Sequence, residues 1–416
     1  MTTRLRHAVA GARATRAGGS AALAAAVALV VAAGCAGPAP ATGADGAPPP
    51  HPVAADTLTT RTPSAADEQA ADGAARAAFA GLDGRAPALY VGIWDPARGY
   101  FTRAYGDAVR RGAPASVNDS FRIASITKTF TATVILQLVG EGRIALGADI
   151  AGYLPPPLAA QPALRGITVE QLLSMRSGLP DYLDSPGGIA TDIQADPHRV
   201  WKPEELVAKA TRLAVAAPGT PGYSNTNFVL LGLIAEHVTG VPLAELITQR
   251  LTGPLGLRHT ALPPATDTSL PAPAAHGYLD QDCVDKAAEA GAPGVDPGTD
   301  TTDWNTSYFQ GAGGIVSDLT DLGRWAATGL GTDLLPPALA RQRLDTHDIG
   351  GDVYGLGIKR FGAWYGHDGD AFGWDSLAVH NPTTGVTFVA VANACTGLTG
   401  DFLRLLQNLY PDQPTG

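Results

Sequence analysis

Two β-hairpin patterns near opposite ends of the chain limit the fold more than any other feature of the sequence. Leu89–Trp94 and Tyr100–Tyr105 flank one turn that contains proline and glycine, and Asp375–His380 and Val386–Val391 flank a second such turn. Strands at both ends with helical sequence between them indicate one sheet assembled from the two chain ends. The predicted class is α+β: an antiparallel sheet flanked by helices, with a mostly helical subdomain inserted over about residues 130–310.

Helical periodicity dominates the middle of the chain. Thr127–Glu141 carries apolar residues at helical spacing and stops at Gly142, and Asn225–Thr239 follows a polar cap and ends at Gly240. Further helices are predicted at Thr168–Met175, Lys202–Arg212, Pro242–Leu251, Leu319–Ala327 and Asp401–Leu409.

The first 35 residues have the layout of a secretory signal peptide. Four arginines precede the uncharged apolar run Ala21–Ala33, which is too short for a comfortable transmembrane helix. Ala32-Ala33-Gly34-Cys35 resembles a bacterial lipoprotein box with alanine in place of the usual leucine, so we expect lipidation of Cys35. An ordinary cleavage site is the alternative. The expected location is the outer face of the bacterial cell membrane, held by the lipid alone, or otherwise the secreted fraction.

A Pro/Ala-rich segment over residues 36–66 follows the cysteine and predicts a disordered tether. The folded domain is expected over residues 67–412. A net charge of −10 and the lack of a basic run argue against nucleic acid as a partner. Cys283 and Cys395 form either a disulfide or two separate buried thiols. No metal-ligand spacing such as C-x-x-C or H-E-x-x-H occurs, so neither a metal nor another cofactor is expected.

Lysine is scarce, and one lysine stands three residues after a serine. The chain has five lysines among 29 basic residues, and Lys128 closes the tetrad that begins at Ser125. Unlike arginine, a buried lysine can lose its proton and act as a base for a serine hydroxyl. A spacing of three at a helix start places the amine over the hydroxyl, where a backbone N–H is also unsatisfied within the helix. A capping serine followed by a surface lysine is the alternative.

Two later tripeptides carry further polar candidates. Tyr223-Ser224-Asn225 lies between a Pro/Gly turn and a helix, where the tyrosine can pass a proton to a leaving group and Asn225 can bind the lysine or a substrate carbonyl. His367-Asp368-Gly369 precedes a strand-forming segment, and its glycine would let a substrate backbone approach the strand edge. Taken alone, the tripeptide Tyr223-Ser224-Asn225 is explained as well by a tyrosine packed on the core and an asparagine that caps the helix. The tripeptide His367-Asp368-Gly369 alone indicates little.

The order Ser-x-x-Lys, Tyr-x-Asn, His-x-Gly resembles the serine β-lactamase and penicillin-recognising hydrolase family, in particular its class C and D-alanyl-D-alanine carboxypeptidase branch. The resemblance spans roughly residues 88–410. The other matching segments are Phe121–Ala124, Leu172–Pro180, Tyr223–Phe228, Pro254–Leu257, His276–Tyr278, Gly311–Ser317 and Tyr354–Ile358. It implies a β-lactamase/transpeptidase-like fold for a serine hydrolase domain over 67–412.

The resemblance also implies roles for individual residues. Ser125 would be the acylated nucleophile, Lys128 its base, and Tyr223 the acid and base for the leaving group and water. Asn225 would hold the lysine and the substrate amide. The backbone N–H groups of Ser125 and Asp370 would form the oxyanion hole.

The third motif departs from the family pattern at a residue that bears on substrate. His367 and Gly369 match, but Asp368 replaces the family's threonine, which helps to bind a substrate carboxylate. Two like charges about 4 Å apart cost on the order of 4 kcal/mol at an effective dielectric near 20. Lys359, or Arg360 beside it, falls where the family often has a carboxylate-binding arginine and would compensate in part.

The sequence therefore predicts a serine hydrolase that works through an acyl-enzyme, as a monomer, on a small-molecule or peptide substrate. The leading activity is D-Ala-D-Ala carboxypeptidase or β-lactamase-like hydrolysis, and Asp368 shifts some weight towards an esterase or a D-aminopeptidase. A non-catalytic penicillin-binding sensor lipoprotein would be expected to have lost Ser125, Lys128 or Tyr223. A Ser-His-Asp hydrolase lacks its G-x-S-x-G turn in this sequence.

Overall fold

Both predicted hairpins are present and share one sheet, which confirms the predicted α+β class. The computed structural model describes residues 58–416, except 184, 186, 290–294 and 396. The predicted signal peptide, Cys35 and the tether as far as residue 57 lie outside the described residues.

The strands are β1 (Ala88–Asp95), β2 (Gly99–Gly106), β3 (Phe121–Arg122), β4 (Tyr278–Leu279), β5 (Val316–Ser317), β6 (His347–Asp348), β7 (Val353–Tyr354), β8 (Lys359–Phe361), β9 (Trp364–Ala371), β10 (Trp374–His380), β11 (Thr387–Ala392) and β12 (Ala394–Cys395). The helices are α1 (Ala65–Gly81), α2 (Thr127–Gly140), α3 (Pro156–Ala159), α4 (Val169–Leu173), α5 (Ala190–Ala195), α6 (Pro203–Ala210), α7 (Asn225–Thr239), α8 (Leu243–Ile247), α9 (Gly253–Leu255), α10 (Gln281–Glu289), α11 (Leu319–Ala327), α12 (Pro337–Arg343) and α13 (Thr399–Leu409).

The main sheet has eight antiparallel strands in the order β2-β1-β11-β10-β9-β8-β7-β6. Next to one edge of the sheet, Leu89 of β1 pairs with Tyr105 of the edge strand β2 on one side and with Ala392 of β11 on the other. The first strand of the sheet is therefore hydrogen-bonded to the last one, as the two hairpin patterns predict.

Side chains of β1 alternate between two cores, because successive residues of a strand point to opposite faces. Tyr90 and Trp94 belong to the core that contains α2 and α7, which we call the helical body. Leu89, Val91 and Ile93 belong to the second core, which contains α1 and α13. The sheet is thus covered by helices on both faces.

Helix α1 begins inside the segment that the sequence assigns to the tether. Ser64 caps it by accepting a hydrogen bond from the Asp67 backbone N–H at 3.1 Å, and the Arg61 carbonyl accepts from Tyr100 N–H in β2. The sequence analysis did not predict α1, because its alanine-rich composition resembles that of the preceding tether. The helix is ordered by apolar contacts with the rest of the protein, since Ala71 and Ala75 are buried against the sheet.

Helices α2 and α7 lie at the centre of the helical body and are buried along most of their length. Phe130 of α2 stacks on Trp325 of α11 with ring centroids 3.8 Å apart. The predicted helix Pro242–Leu251 is shorter, since α8 ends at Ile247 and a π-helical turn, Thr248–Thr252, follows. Pro254 disfavours a regular turn ahead of it, because its ring clashes with the carbonyl four residues earlier.

Within the described part of the chain, no single helix is both long and apolar enough to cross a membrane. The two segments Asn225–Thr239 and Leu243–Leu255, which are bent by 83° relative to each other, have the required length and apolar character only when they are taken together.

Candidate active site

The serine of the first motif lies in a tight turn between β3 and α2. Ala124, the residue before it, has a φ of 47°, a left-handed conformation that is unfavourable for residues other than glycine. The turn continues as a 3₁₀ segment, Ala124–Ile126, and leads into α2. The Ile123 carbonyl accepts a hydrogen bond from Ser376 Oγ of β10 at 3.0 Å, which anchors the turn to the sheet.

Gly369 of β9 packs directly against this turn. A Cβ at position 369 would lie 2.6 Å from the Ile123 carbonyl oxygen and 2.4 Å from Ser376 Oγ. A side chain there would push the nucleophile turn off the sheet. The glycine thus serves a close approach within the protein itself, whereas the sequence interpretation assigned it to substrate access.

Lys128 is fully buried, and three oxygen atoms surround its Nζ. Ser125 Oγ lies at 2.9 Å, Asn225 Oδ1 at 2.6 Å and the Ala312 carbonyl at 2.7 Å. The amide oxygen and the carbonyl can only accept, so they take two N–H groups in either protonation state. The remaining position on Nζ faces Ser125 Oγ. It holds an N–H when the lysine is an ammonium and the lone pair when the amine is neutral. The arrangement therefore suits a base for the Ser125 hydroxyl.

Tyr223 is a second polar neighbour of the serine. Its hydroxyl donates to Ser125 Oγ at 2.9 Å, and its ring lies 4.9 Å from Lys128 Nζ and 5.3 Å from Lys359 Nζ. Burial, together with Tyr354, raises the pKa of the Tyr223 phenol well above its usual value. Tyr223 is thus a neutral proton donor beside the nucleophile.

Asn225 is held by a carboxylate that the sequence interpretation missed. Asp181 Oδ2 accepts from both the backbone N–H and the side-chain Nδ2 of Asn225, at 2.9 and 2.8 Å, and Asp181 Oδ1 accepts from Leu183 N–H at 2.8 Å. With Nδ2 turned to Asp181, the amide oxygen faces Lys128. Burial raises the pKa of Asp181. Asp181 directly follows the matching segment Leu172–Pro180, and this position was the available signal in the sequence.

His367 lies behind the site rather than on its surface, since it is 0% exposed. Its Nδ1 is 2.5 Å from the Asp368 carbonyl, which can only accept, so Nδ1 carries the proton and Nε2 accepts from the Tyr354 hydroxyl at 3.0 Å. Burial lowers the pKa of His367 to about 3, so the ring is neutral. The Tyr354 ring in turn packs edge-on against Tyr223. His367 thus contacts the site both through Tyr354 and directly, since its ring centroid lies 6.2 Å from that of Tyr223.

Asp368 and Lys359 are paired, and a second carboxylate joins them. Lys359 Nζ lies 2.8 Å from Asp368 Oδ1 and 2.9 Å from Asp352 Oδ2. Burial alone would lower the pKa of Lys359, but Asp368 and Asp352 raise it above its usual value. Burial would likewise raise the pKa of Asp368, but Lys359 holds it below its usual value. Both groups are therefore charged at neutral pH, and the ammonium is shared by two anions.

One cleft of about 860 Å³ is lined by the following site residues: Ser125, Tyr223, Asn225, Asp352, Lys359, Asp368 and Asp370. Cys283 and Cys395 lie on its wall and form a disulfide with a Cα–Cα distance of 6.0 Å, which resolves the two interpretations of these cysteines. Ser125 and Asp370 both line the cleft, and their N–H groups as the oxyanion hole stay a prediction. A nucleophile whose Oγ lies 2.9 Å from both a base and a proton donor suits acyl transfer.

Comparison with known proteins agrees with this geometry. The Beta-lactamase family model matches residues 42–406. The D-alanyl-D-alanine-carboxypeptidase/endopeptidase AmpH of Escherichia coli is 30% identical over 254 residues, which are 59% of this chain and 58% of AmpH. A D-aminopeptidase of Cereibacter sphaeroides is 32% identical over 205 residues, 48% of this chain and 37% of that protein. The chain thus spans well under two thirds of these curated relatives.

Solved structures match over more of the chain. A D-stereospecific amidohydrolase from Streptomyces sp. is 30% identical with a TM-score of 0.69, covering 82% of this chain and 98% of that one. The D-amino acid amidase of Ochrobactrum anthropi SV3, 24% identical with a TM-score of 0.70 over 84% of this chain and 99% of its own, supports the fold. With the family model matching most of its length, the chain belongs to the Beta-lactamase family of serine hydrolases.

Proposed function

We propose that the protein is a serine amidohydrolase that cleaves the amide or peptide bond following a D-amino acid through an acyl-enzyme at Ser125. The observation that carries the proposal is the position of Ser125 Oγ, which lies 2.9 Å from both Lys128 Nζ and the Tyr223 hydroxyl. A nucleophile between a base and a separate proton donor can both form and release an acyl group.

In acylation, Ser125 Oγ attacks the substrate carbonyl carbon while its proton moves to the neutral Lys128 amine. As the C–N bond breaks, Tyr223 gives its proton to the leaving nitrogen, and the phenolate that results takes back the serine proton from the Lys128 ammonium, whose Nζ lies 4.9 Å from the Tyr223 ring. In deacylation a water attacks the acyl carbonyl carbon and gives a proton to the neutral Lys128 amine. The bond between that carbon and Ser125 Oγ then breaks, Oγ takes the proton from Lys128, and the acid is released. Asn225 fixes the Lys128 amine through Oδ1 throughout.

The stereochemistry is supported by the relatives. A D-stereospecific amidohydrolase and a D-aminopeptidase, each at 30% identity or above, act on D-configured substrates by their names. A D-Ala-D-Ala carboxypeptidase with β-lactamase-like acylation is the second candidate, because AmpH is similar and Lys359 places a cation in the cleft. An esterase would use the same groups with an alcohol as leaving group.

The test is a paired assay of the full-length purified protein on D-alanine and L-alanine p-nitroanilides, with a fluorophosphonate probe to label the nucleophile. We expect hydrolysis of the D-isomer, labelling of Ser125, and loss of both in Ser125→Ala. Equal rates on the two isomers would refute the D-specificity. Neither labelling nor turnover of amide, ester or penicillin would refute the enzyme itself and revive the sensor alternative.

We also propose export and lipid anchoring through Cys35. The Cys283–Cys395 disulfide supports an oxidising compartment. Expression in a bacterial host, followed by fractionation and mass measurement of the N-terminal peptide, tests this. A diacylglyceryl-modified Cys35 in the membrane fraction, released by Cys35→Ala, is expected, and an unmodified cysteine would show ordinary secretion instead.

A further inference from the structure

The charged residues of the cleft are unevenly balanced. Among the described residues that line it, those with charged side chains are Asp352, Lys359, Asp368 and Asp370, three carboxylates and one ammonium. Lys359 Nζ contacts two of these carboxylates, at 2.8 and 2.9 Å. Its side chain is 9% exposed, against 23% for Asp368 and 39% for Asp352. The cation is thus covered by anions that are themselves more accessible.

In the proposed function, this wall adjoins the group that acts on the leaving amine. Tyr223, which donates to Ser125 Oγ, is the group that protonates the leaving nitrogen in the proposed function. Lys359 Nζ lies 5.3 Å from the Tyr223 ring centroid, so the Asp352–Lys359–Asp368 cluster adjoins the proton donor. A charged substituent on the leaving amine, one or two bonds from its nitrogen, would come close to these carboxylates.

We propose that the leaving-group subsite selects amines that carry an ammonium group and disfavours those that carry a free carboxylate. This inference rests on the proposed function and narrows it to amides and peptides whose leaving amine is basic, rather than carboxypeptidase substrates. The physical reason is direct: a carboxylate meets a wall with a net negative charge in a partly desolvated cleft, whereas an ammonium adds a counter-ion to it.

A matched series of three substrates tests the proposal, all with a D-alanyl acyl group. The leaving amines are glycine, glycinamide and 1,2-diaminoethane, which are similar in size and present a carboxylate, a neutral amide and an ammonium. We expect kcat/KM to rise in that order, with about tenfold or more between the first and the last, and added salt to compress the difference.

Two variants assign the effect to the wall. Asp352→Asn and Asp368→Asn, each of which removes one carboxylate from Lys359, should reduce the preference for the ammonium. Asp345→Asn is the matched control, since Asp345 is exposed and absent from the described lining of the cleft. An unchanged ratio in that control with a reduced ratio in the other two supports the proposal.

The outcomes separate the two levels of inference. Turnover of all three substrates at equal rates, or best with glycine as leaving group, overturns the leaving-group proposal and leaves the amidohydrolase intact. A charge preference that is unaffected by both Asp352→Asn and Asp368→Asn also overturns it. Failure to hydrolyse any D-alanyl amide or ester overturns the proposed function and the subsite with it.

Discussion

One oxygen of the Asp181 carboxylate, Oδ2, accepts hydrogen bonds from both the backbone and the side chain of Asn225, at 2.9 and 2.8 Å. This double contact decides which end of the amide faces Lys128. A residue that never reaches the nucleophile thereby sets the geometry of the base.

Asp181→Asn should impair catalysis while the fold survives. Asparagine can keep the shape, but its amide nitrogen cannot accept, so either the Asn225 or the Leu183 contact is lost. We expect kcat to fall about 10- to 100-fold with a smaller change in KM, by analogy with the loss of outer-shell partners that orient a reactive group. Steady-state kinetics check this, and thermal unfolding of the variant serves as the control. A KM effect alone would contradict a positioning role.

Replacement of Ser125 and of Lys128, one at a time, should distinguish the role of the nucleophile from that of the base. Ser125→Ala should lower kcat by roughly 10⁶. Lys128→Arg keeps a positive charge but cannot accept the serine proton, and its larger group must fit beside acceptors at 2.6 and 2.7 Å. Intact-protein mass after exposure to the acylating probe should show no adduct in either variant. Acylation of Lys128→Arg at the wild-type rate would exclude Lys128 as the base.

Asp368→Thr should release Lys359 from one of its two carboxylates. The freed ammonium can then pair with a substrate carboxylate, so activity on a D-Ala-D-Ala-terminated peptide should rise about tenfold more than activity on a D-alanine ester. Parallel kcat/KM measurements on the two substrates give the ratio. Equal gains on both would mean that Asp368 does not govern carboxylate binding.

Stability should decrease as the pH falls below about 6.5. The pKa of His367 is about 3 in the folded protein against about 6.5 when unfolded, because burial disfavours the imidazolium. Between these values the unfolded chain binds a proton that the native protein does not, so unfolding is favoured at lower pH, by up to about 1.4 kcal/mol per pH unit. His380, with a pKa of about 4, acts in the same direction.

Urea unfolding at several pH values between 4 and 8 measures this dependence. His367→Gln can still accept from Tyr354 and should show a smaller slope of unfolding free energy against pH. Identical slopes in the two proteins would show that His367 titrates normally.

The disulfide should contribute strongly to stability, since it joins cysteines 112 residues apart. A loop of about this length corresponds to roughly 5 kcal/mol in the chain-entropy model. The double variant Cys283→Ser/Cys395→Ser should therefore have a clearly lower Tm. A thiol reductant should lower the Tm of the wild type and leave that of the double variant unchanged. An equal response of the two proteins would exclude the disulfide as the cause.

The sequence predicts well those helices and strands whose own residues carry a regular pattern of apolar and polar side chains. The hairpins and the helix Asn225–Thr239 follow from alternation, helical spacing and a terminal glycine. Strand β9 was missed as a strand because His367, Asp368, Asp370 and two glycines give it the composition of a loop. Its pairing with β10, and not its own propensity, makes it a strand.

The same distinction applies to the site. Ser125, Lys128, Tyr223 and Asn225 stand in short motifs, and the structure brings them together. Asp181 and Asp352 were not anticipated, because each acts on a residue in a different element. Asp352, for instance, reaches Lys359 across the turn that joins β7 to β8. Contacts set by tertiary packing leave no local periodicity.

The contact of β10 with the nucleophile turn and the pairing of β1 with β11 make the site dependent on residues that are translated long after Ser125. Ser125 is translated early, but the Ile123 carbonyl beside it is anchored by Ser376, and β1 receives its second neighbour only when Ala392 and the rest of β11 are present. Such distant pairing is slow to form. A growing or truncated polypeptide that lacks β10 and β11 therefore carries its serine on a turn without this anchor and on a sheet without these strands.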